Sequence, residues 1–427
     1  MFSFFYDLLL GFYLILKLPS LLLNPKKNRN ILKKFQLPTF KIPKDKKSVW
    51  IHSVSLGETK AALPLIEELK KDRDQDKKDL FVICSCTTET GFNEAKKSQA
   101  DEILFLPFDF SFLMKRLAQR IQPDLVVFIE TDFWYHFLKF MKQAGSKTAV
   151  ISAKLSDRSF KRFKFLSFFS NRLFTLFDLI ATQNELYQER FFNLLKNELK
   201  TESIKTEIKI SSNLKLFNQP KSFSSEELDV LRDKLQIKAG EKVVTIASTH
   251  APEERLLLEE LLPFLKENKQ NSLKILLAPR HPERFLEVEG LLKKMGLDFS
   301  KLSNPRDTRI ILIDTMGFLN QAFALSDLAV VAGSFISKIG GHNVLEPIFF
   351  KVPVMFGPHM QGQVDLKNLV LQEELGFQVE LKDLKIKIEN LLGNAQKQIF
   401  LQQRCEKFSL KLQNEKQFCF DLIKNLL

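Results

Sequence analysis

At 427 residues the chain is too long for one ordinary core and fits two domains of about 200 residues each. An apolar fraction of 44% and a charged fraction of 27% are normal for a globular protein, and no low-complexity tract or fixed-period repeat points to a solenoid or propeller. A formal net charge of +13 attracts polyanions, whether nucleic acid, anionic lipid head groups or phosphorylated substrates, without choosing among them.

Residues Met1 to Leu23 read MFSFFYDLLLGFYLILKLPSLLL, about long enough to cross or enter a bilayer as a helix. Asp7, Lys17 and Pro19 weaken it as a spanning segment. No basic region precedes it and no small-residue cleavage site follows, which argues against a cleaved signal peptide. Lys26, Lys27, Arg29, Lys33, Lys34, Lys41, Lys44, Lys46 and Lys47 follow, and basic residues there favour the cytoplasmic side and an anionic membrane surface. Residues 1–24 are therefore expected to be a membrane-anchor helix, with a buried core helix as the alternative.

From Val49 onward short apolar runs alternate with amphipathic stretches. VWIHSVS, LFVICSC, EILFLPF, DLVVFIE, TAVISAK and LIATQN read as buried parallel strands, and Thr59–Lys71 and Trp134–Ala144 as helices between them. Turn formers after Ile210, through Asn218, Pro220 and Ser222–Ser225, mark a linker. A second series follows, with strands VVTIAST, KILLAPR, IILIDT, LAVVAGS and VPVMFG and helices starting near Pro252, Glu283, Gly317, Val344 and Val364. From about Leu381 the chain is helical and charged. The expected organisation is an N-terminal Rossmann-like domain at 25–215, a second at 216–405 and a C-terminal helix at 406–427. Two doubly wound α/β domains facing each other would place a ligand crevice at the carboxyl ends of both sets of strands.

Polar clusters sit where such strands end. Glu58, in HSVSLGE, falls in the first turn of a helix, where the helix dipole keeps a carboxylate ionised and able to accept a proton; a plain capping acid is the alternative. Glu130 and Asp132 follow another strand beside Phe133 and Trp134. Lys154, Ser156, Arg158, Lys161, Arg162 and Lys164 form a basic stretch that could hold lipid phosphates or be a solvated face. Ser248, Thr249 and His250 precede a helix start, a ready anion site. Arg280, His281 and Pro282 follow the next strand, then Asp314 to Met316 and Gly317, then Gly333-Ser334 and Gly340-Gly341-His342-Asn343 with Glu346.

Cys84, Cys86, Cys405 and Cys419 form no CxxC pair and read as reduced thiols of a cytoplasmic protein. No metal spacing stands out, and Asp72-Arg73-Asp74 reads as a solvated loop. There is no phosphate-loop or dinucleotide fingerprint, which disfavours an NTPase or dehydrogenase. No RNA-recognition motif or aromatic-plus-Arg platform is present, so nucleic acid is not expected as a partner.

In this order, WIHSVSLGETKAALPL, TTETG, LPFD, IETDFW, ISAKLSDRS, NLK, STHAPEE, PRHPER, DTMG, AGSF, GGHNVLEP and FGPHM resemble the 3-deoxy-D-manno-octulosonic acid (Kdo) transferase family. The resemblance implies an inverting, metal-independent and cofactor-free glycosyltransferase of the GT-B fold. It would move Kdo from CMP-Kdo to a lipid A precursor, lipid IVA, at the cytoplasmic face of the inner membrane. By motif, Glu58 matches the general base and Glu130 a second acid near the acceptor. Arg280, His281, Pro282, Met316, Gly317, Gly341, Asn343 and Glu346 match the CMP-binding set, and Ser248, Thr249 and Ser334 would line the donor phosphate and sugar. The family's ETELWP is ETDFWY here. A UDP-sugar transferase or epimerase of the same fold is the alternative function, and a non-catalytic binding protein a more distant one.

Overall fold

A computed structural model describes residues 2–23, 32–71, 80–196, 206–267 and 273–427. The acidic loop Asp72-Arg73-Asp74 and the basic residues Lys26, Lys27 and Arg29 lie outside them. The chain divides into two compact units, Met1–Asn218 with Leu412–Leu427, and Gln219–Lys411.

The first unit is built on seven strands: β1 (Ser48–Ser53), β2 (Phe81–Cys86), β3 (Glu102–Phe105), β4 (Leu125–Ile129), β5 (Lys147–Ala153), β6 (Leu179–Thr182) and β7 (Glu207–Ile210). Their order is β3-β2-β1-β4-β5-β6-β7, and every neighbouring pair is parallel. All five residues of β4, LVVFI, are buried, as a strand covered on both faces requires. One face packs on helix Leu56–Lys71 and on Cys419, Phe420 and Ile423 from the C-terminus. The other packs on an aromatic-rich layer that includes Phe137, Phe174 and Phe191.

The second unit repeats the plan with β8 (Lys242–Thr249), β9 (Leu273–Pro279), β10 (Phe299–Lys301), β11 (Ile310–Leu312), β12 (Leu328–Val331), β13 (Val354–Phe356) and β14 (Gly376–Gln378). The order is β10-β11-β9-β8-β12-β13-β14, again parallel throughout. In each sheet the chain starts at the centre, builds one side, then returns to build the other. The loops therefore part at β1/β4 in one unit and β8/β12 in the other, the switch points where such sheets bind ligands.

Several features differ from the sequence reading. Strands β7, β10 and β14 are three or four residues long with mixed burial, so no apolar run announces them. No helix starts at Val344; a single 3-10 turn, Pro347–Phe350, stands there. The Asn343 side chain accepts from the Leu345 N–H at 3.0 Å, a local turn that competes with a helix. The C-terminal helix begins at Ala395 rather than near 406 and runs unbroken to Lys424, because no Gly or Pro interrupts it. All four cysteines are free and buried.

The N-terminal helix forms at Phe2–Leu23, but among the described residues no helix is long and apolar enough to cross a membrane. Its first two turns are pinned to the protein. Tyr6 Oη donates to Asp109 Oδ2 at 2.9 Å, and Asp7 accepts from the Ser111 backbone N–H at 2.8 Å. Phe2 packs edge-on against Tyr135 at 5.1 Å. Asp7, a poor residue for a bilayer, thus serves as a helix-start partner for Ser111–Arg120.

Candidate active site

In the first unit Ser55 and Glu58 form a capping box at the start of helix Leu56–Lys71. Glu58 N–H donates to Ser55 Oγ at 3.4 Å, and Glu58 Oε2 accepts from Ser55 N–H at 3.4 Å and Val54 N–H at 2.7 Å. The capping alternative is therefore real, and it also fixes the carboxylate at the end of β1. Thr88 braces the same loop, its Oγ1 donating to Val54 O at 2.9 Å.

Across the switch point, Glu130 follows β4 with φ 67°, an uncommon backbone state for a residue with a side chain. Its carboxylate is buried between two ammonium groups, Lys154 Nζ at 2.7 Å and Lys215 Nζ at 2.5 Å. Burial pushes its pKa up, but the hydrogen bonds and charges of the two lysines outweigh that and hold it below the usual carboxylate range. Glu130 is thus a fixed anion. The free acid of this corner is Asp132, whose pKa is pushed up to about 6 by burial first and then by the charges of Glu58 and Glu130. The basic stretch, which could hold lipid phosphates or be a solvated face, is partly engaged too, since Lys154 belongs to Glu130.

The second unit answers with nitrogen. At the end of β8, Ser248 adopts φ 58° and leads through Thr249 to His250, just before helix Glu253–Glu267. His250 Nε2 and His342 Nε2 lie 2.7 Å apart, and the His281 ring is 5.4 Å from that of His250. Arg280 N–H donates to Thr249 O at 3.1 Å, which ties the β9 loop to the β8 loop. The Thr249 hydroxyl is buried with no partner. Burial and then the charges of His250, Arg280 and His281 push His342 down to about 4; burial and then His281, Arg284 and Arg280 lower His250.

Glu253 organises this corner from below. Fully buried, it accepts from the backbone N–H groups of His250 (3.1 Å), Gly333 (2.8 Å) and Phe335 (3.0 Å). Burial raises its pKa further than those three bonds lower it. Gly333 has φ 71°, and a Cβ there would lie 2.5 Å from His342 Cδ2, so only glycine lets His342 reach His250. A Cβ on Gly341 would likewise meet Met360 Sδ at 2.4 Å. Glu346 receives the Asn343 amide at 3.3 Å and feels Arg280; burial raises its pKa more than those two partners lower it.

These geometries can be set beside known proteins. A family model described as 3-deoxy-D-manno-octulosonic-acid transferase (kdotransferase) matches residues 29–215. The 3-deoxy-D-manno-octulosonic acid transferase of Chlamydia trachomatis serovar A is 32% identical over 383 residues, spanning 88% of this chain and 85% of that relative. The chain belongs to the Kdo transferase family. The corresponding enzyme of Chlamydia muridarum is 34% identical over 355 residues, 82% of this chain and 79% of the relative. A solved glycosyltransferase from Rickettsia africae, 17% identical, covers 89% of this chain and all of that one with a TM-score of 0.51, which shows a shared fold.

As a Kdo transferase the protein is a glycosyltransferase with two Rossmann-like, GT-B-like units. Of the residues expected to bind donor, Ser248, Thr249, Arg280, His281, Asn343 and Glu346 cluster around the β8/β12 switch point. Ser334 sits there too, but its hydroxyl is tied up inside the loop, donating to Val331 O and accepting from Gly357 N–H, both at 2.7 Å. Pro282 opens an exposed turn after β9. Met316, 60% exposed, and Gly317, φ 87°, lie on the turn after β11, two strands from the switch point. Sequence reasoning passed over Glu253, Lys215 and the pairing of His250 with His342. Each partner lies about 80 or more residues away, which no local pattern encodes.

Proposed function

We propose that this enzyme transfers Kdo from CMP-Kdo to a hydroxyl of a lipid A precursor with inversion at the anomeric carbon. The observation that carries the donor reading is the clustering of three imidazoles, with Arg280 within electrostatic reach, at a switch point and a helix start. Such a corner suits a phosphate, whose charge grows as CMP departs. Glu346 suits ribose hydroxyls. The base is Glu58, whose carboxylate backbone N–H groups hold in place to take the acceptor proton. Glu130 with its two lysines fixes the corner, and Asp132 lies within electrostatic reach of Glu58.

The reading extends to the inner membrane's cytoplasmic face. Phe4, Leu9, Phe12, Ile15 and Leu16 are more than half exposed on the N-terminal helix, and Phe165 (87%) and Phe168 (63%) stand out nearby. Helix and corner line an open apolar groove of about 650 Å³. That supports a helix laid in one leaflet, with Arg172 beside Phe168 at its rim.

The test is transfer itself. Protein in detergent receives CMP-Kdo generated in situ and tetraacylated lipid A precursor, with and without EDTA, and products are weighed by mass spectrometry. Mass gains of whole Kdo units, unaffected by EDTA, are expected, and they also count the units added. No gain, with UDP bound in place of CMP, would replace this reading by the UDP-sugar one.

A further inference from the structure

Two histidine Nε2 atoms 2.7 Å apart constrain their own protons. One must carry hydrogen and the other a lone pair. The neutral pair therefore keeps one proton in the contact and one on a single Nδ1. The contact is built rather than incidental. Gly333 leaves the room for His342, and Glu253 fixes both the His250 backbone and the Gly333 loop. Facing the pair are Arg280, His281 and Arg284, with Glu254 as a counter-charge held by Arg284. Glu253 points its carboxylate at backbone N–H groups. The guanidinium groups of Arg280 and Arg284 thus lie close to the imidazoles, and an incoming anion would change the balance.

We propose that His250 and His342 act as one proton store, taking up a proton when the donor phosphate docks beside Arg280 and passing it to a phosphate oxygen as CMP leaves. This rests on the CMP-Kdo reading above. The protons balance. The bond from the anomeric carbon to the phosphate oxygen breaks, and its electron pair stays on phosphate. The acceptor oxygen forms the new bond and gives its proton to Glu58. The pair's extra proton goes to the departing phosphate, whose second ionisation near pH 6 matches an imidazolium (about 6). With the site open, burial and the neighbouring cations keep both imidazoles neutral, so the store fills only with the donor.

The experiment is calorimetry of CMP binding at pH 7.5 in two buffers of different ionisation enthalpy. Cytidine, which lacks the phosphate, serves as control. The wild type should take up about one proton with CMP and none with cytidine. H342Q and H250Q should still bind CMP but lose the uptake, with kcat down about a hundredfold and KM moved much less. Equal apparent enthalpies in the two buffers for wild type would overturn the proposal, and so would uptake that survives in both variants. CMP binding without uptake removes the proton store alone; no CMP binding by folded wild type removes the donor reading as well.

Discussion

The two switch points solve the same topological problem with opposite chemistry. At β1/β4 the functional groups are carboxylates, and two lysines neutralise only one of them, Glu130. At β8/β12 imidazoles and a guanidinium gather, with Glu346 near Arg280, while Glu253 is buried beneath backbone N–H groups. Both sites use a residue with positive φ at a strand end, Glu130 and Ser248. The comparison teaches that a Rossmann-like unit sets where a site is, and that the sign of its unpaired groups sets what it can do. On the function proposed above, the first would take a proton and the second would hold an anion.

The largest effect that could break this contrast is on catalysis. Glu58→Gln keeps the capping acceptor but loses the base, so kcat should fall about a thousandfold while CMP affinity stays unchanged. Transfer at wild-type rate by this variant would return Glu58 to a purely capping role.

The next effect is on stability, and it lies in the second unit. Glu253→Ala strands three backbone N–H groups and should cost about 3 kcal/mol, lowering the melting temperature by about 10 °C. CMP affinity should fall with it, because the Gly333 loop is released. An unchanged melting curve would mean that this carboxylate does not organise the corner.

A subtler test uses pH. Asp132 titrates near pH 6 in the folded unit, above its ordinary value. The folded state then holds a proton that the unfolded chain releases, so this group's contribution weakens as pH rises from about 4 to 6 and levels off above. Asp132→Asn should flatten that part of the stability–pH curve. After solvent screening it should gain less than about 1 kcal/mol at pH 7. A curve identical to wild type would show that neither burial nor the charges of Glu58 and Glu130 shift Asp132.

The smallest effect on transfer lies away from both sites. Tyr6→Phe deletes the hydroxyl that the N-terminal helix gives to Asp109 and should cost about 1 kcal/mol, read by denaturant unfolding. Transfer to detergent-dispersed acceptor should persist, which separates docking of that helix from chemistry.

Much of this protein was legible in its sequence. Buried parallel strands are continuous apolar runs, so eleven of the fourteen strands among the described residues could be read directly, along with the polar clusters at their ends. The ordered motifs from HSVSLGE to GGHN named the family. Local spacing could not say which acid stays free. Glu130 and Asp132 are two residues apart, and only Lys154 and Lys215, brought in by other elements, make one a fixed anion and leave the other to titrate. Nor could it pair His250 with His342 across 92 residues, or place Glu253 under a loop 80 residues ahead. Periodicity is a property of neighbours along the chain and is written there; protonation depends on neighbours in space, which the packing of the sheet decides.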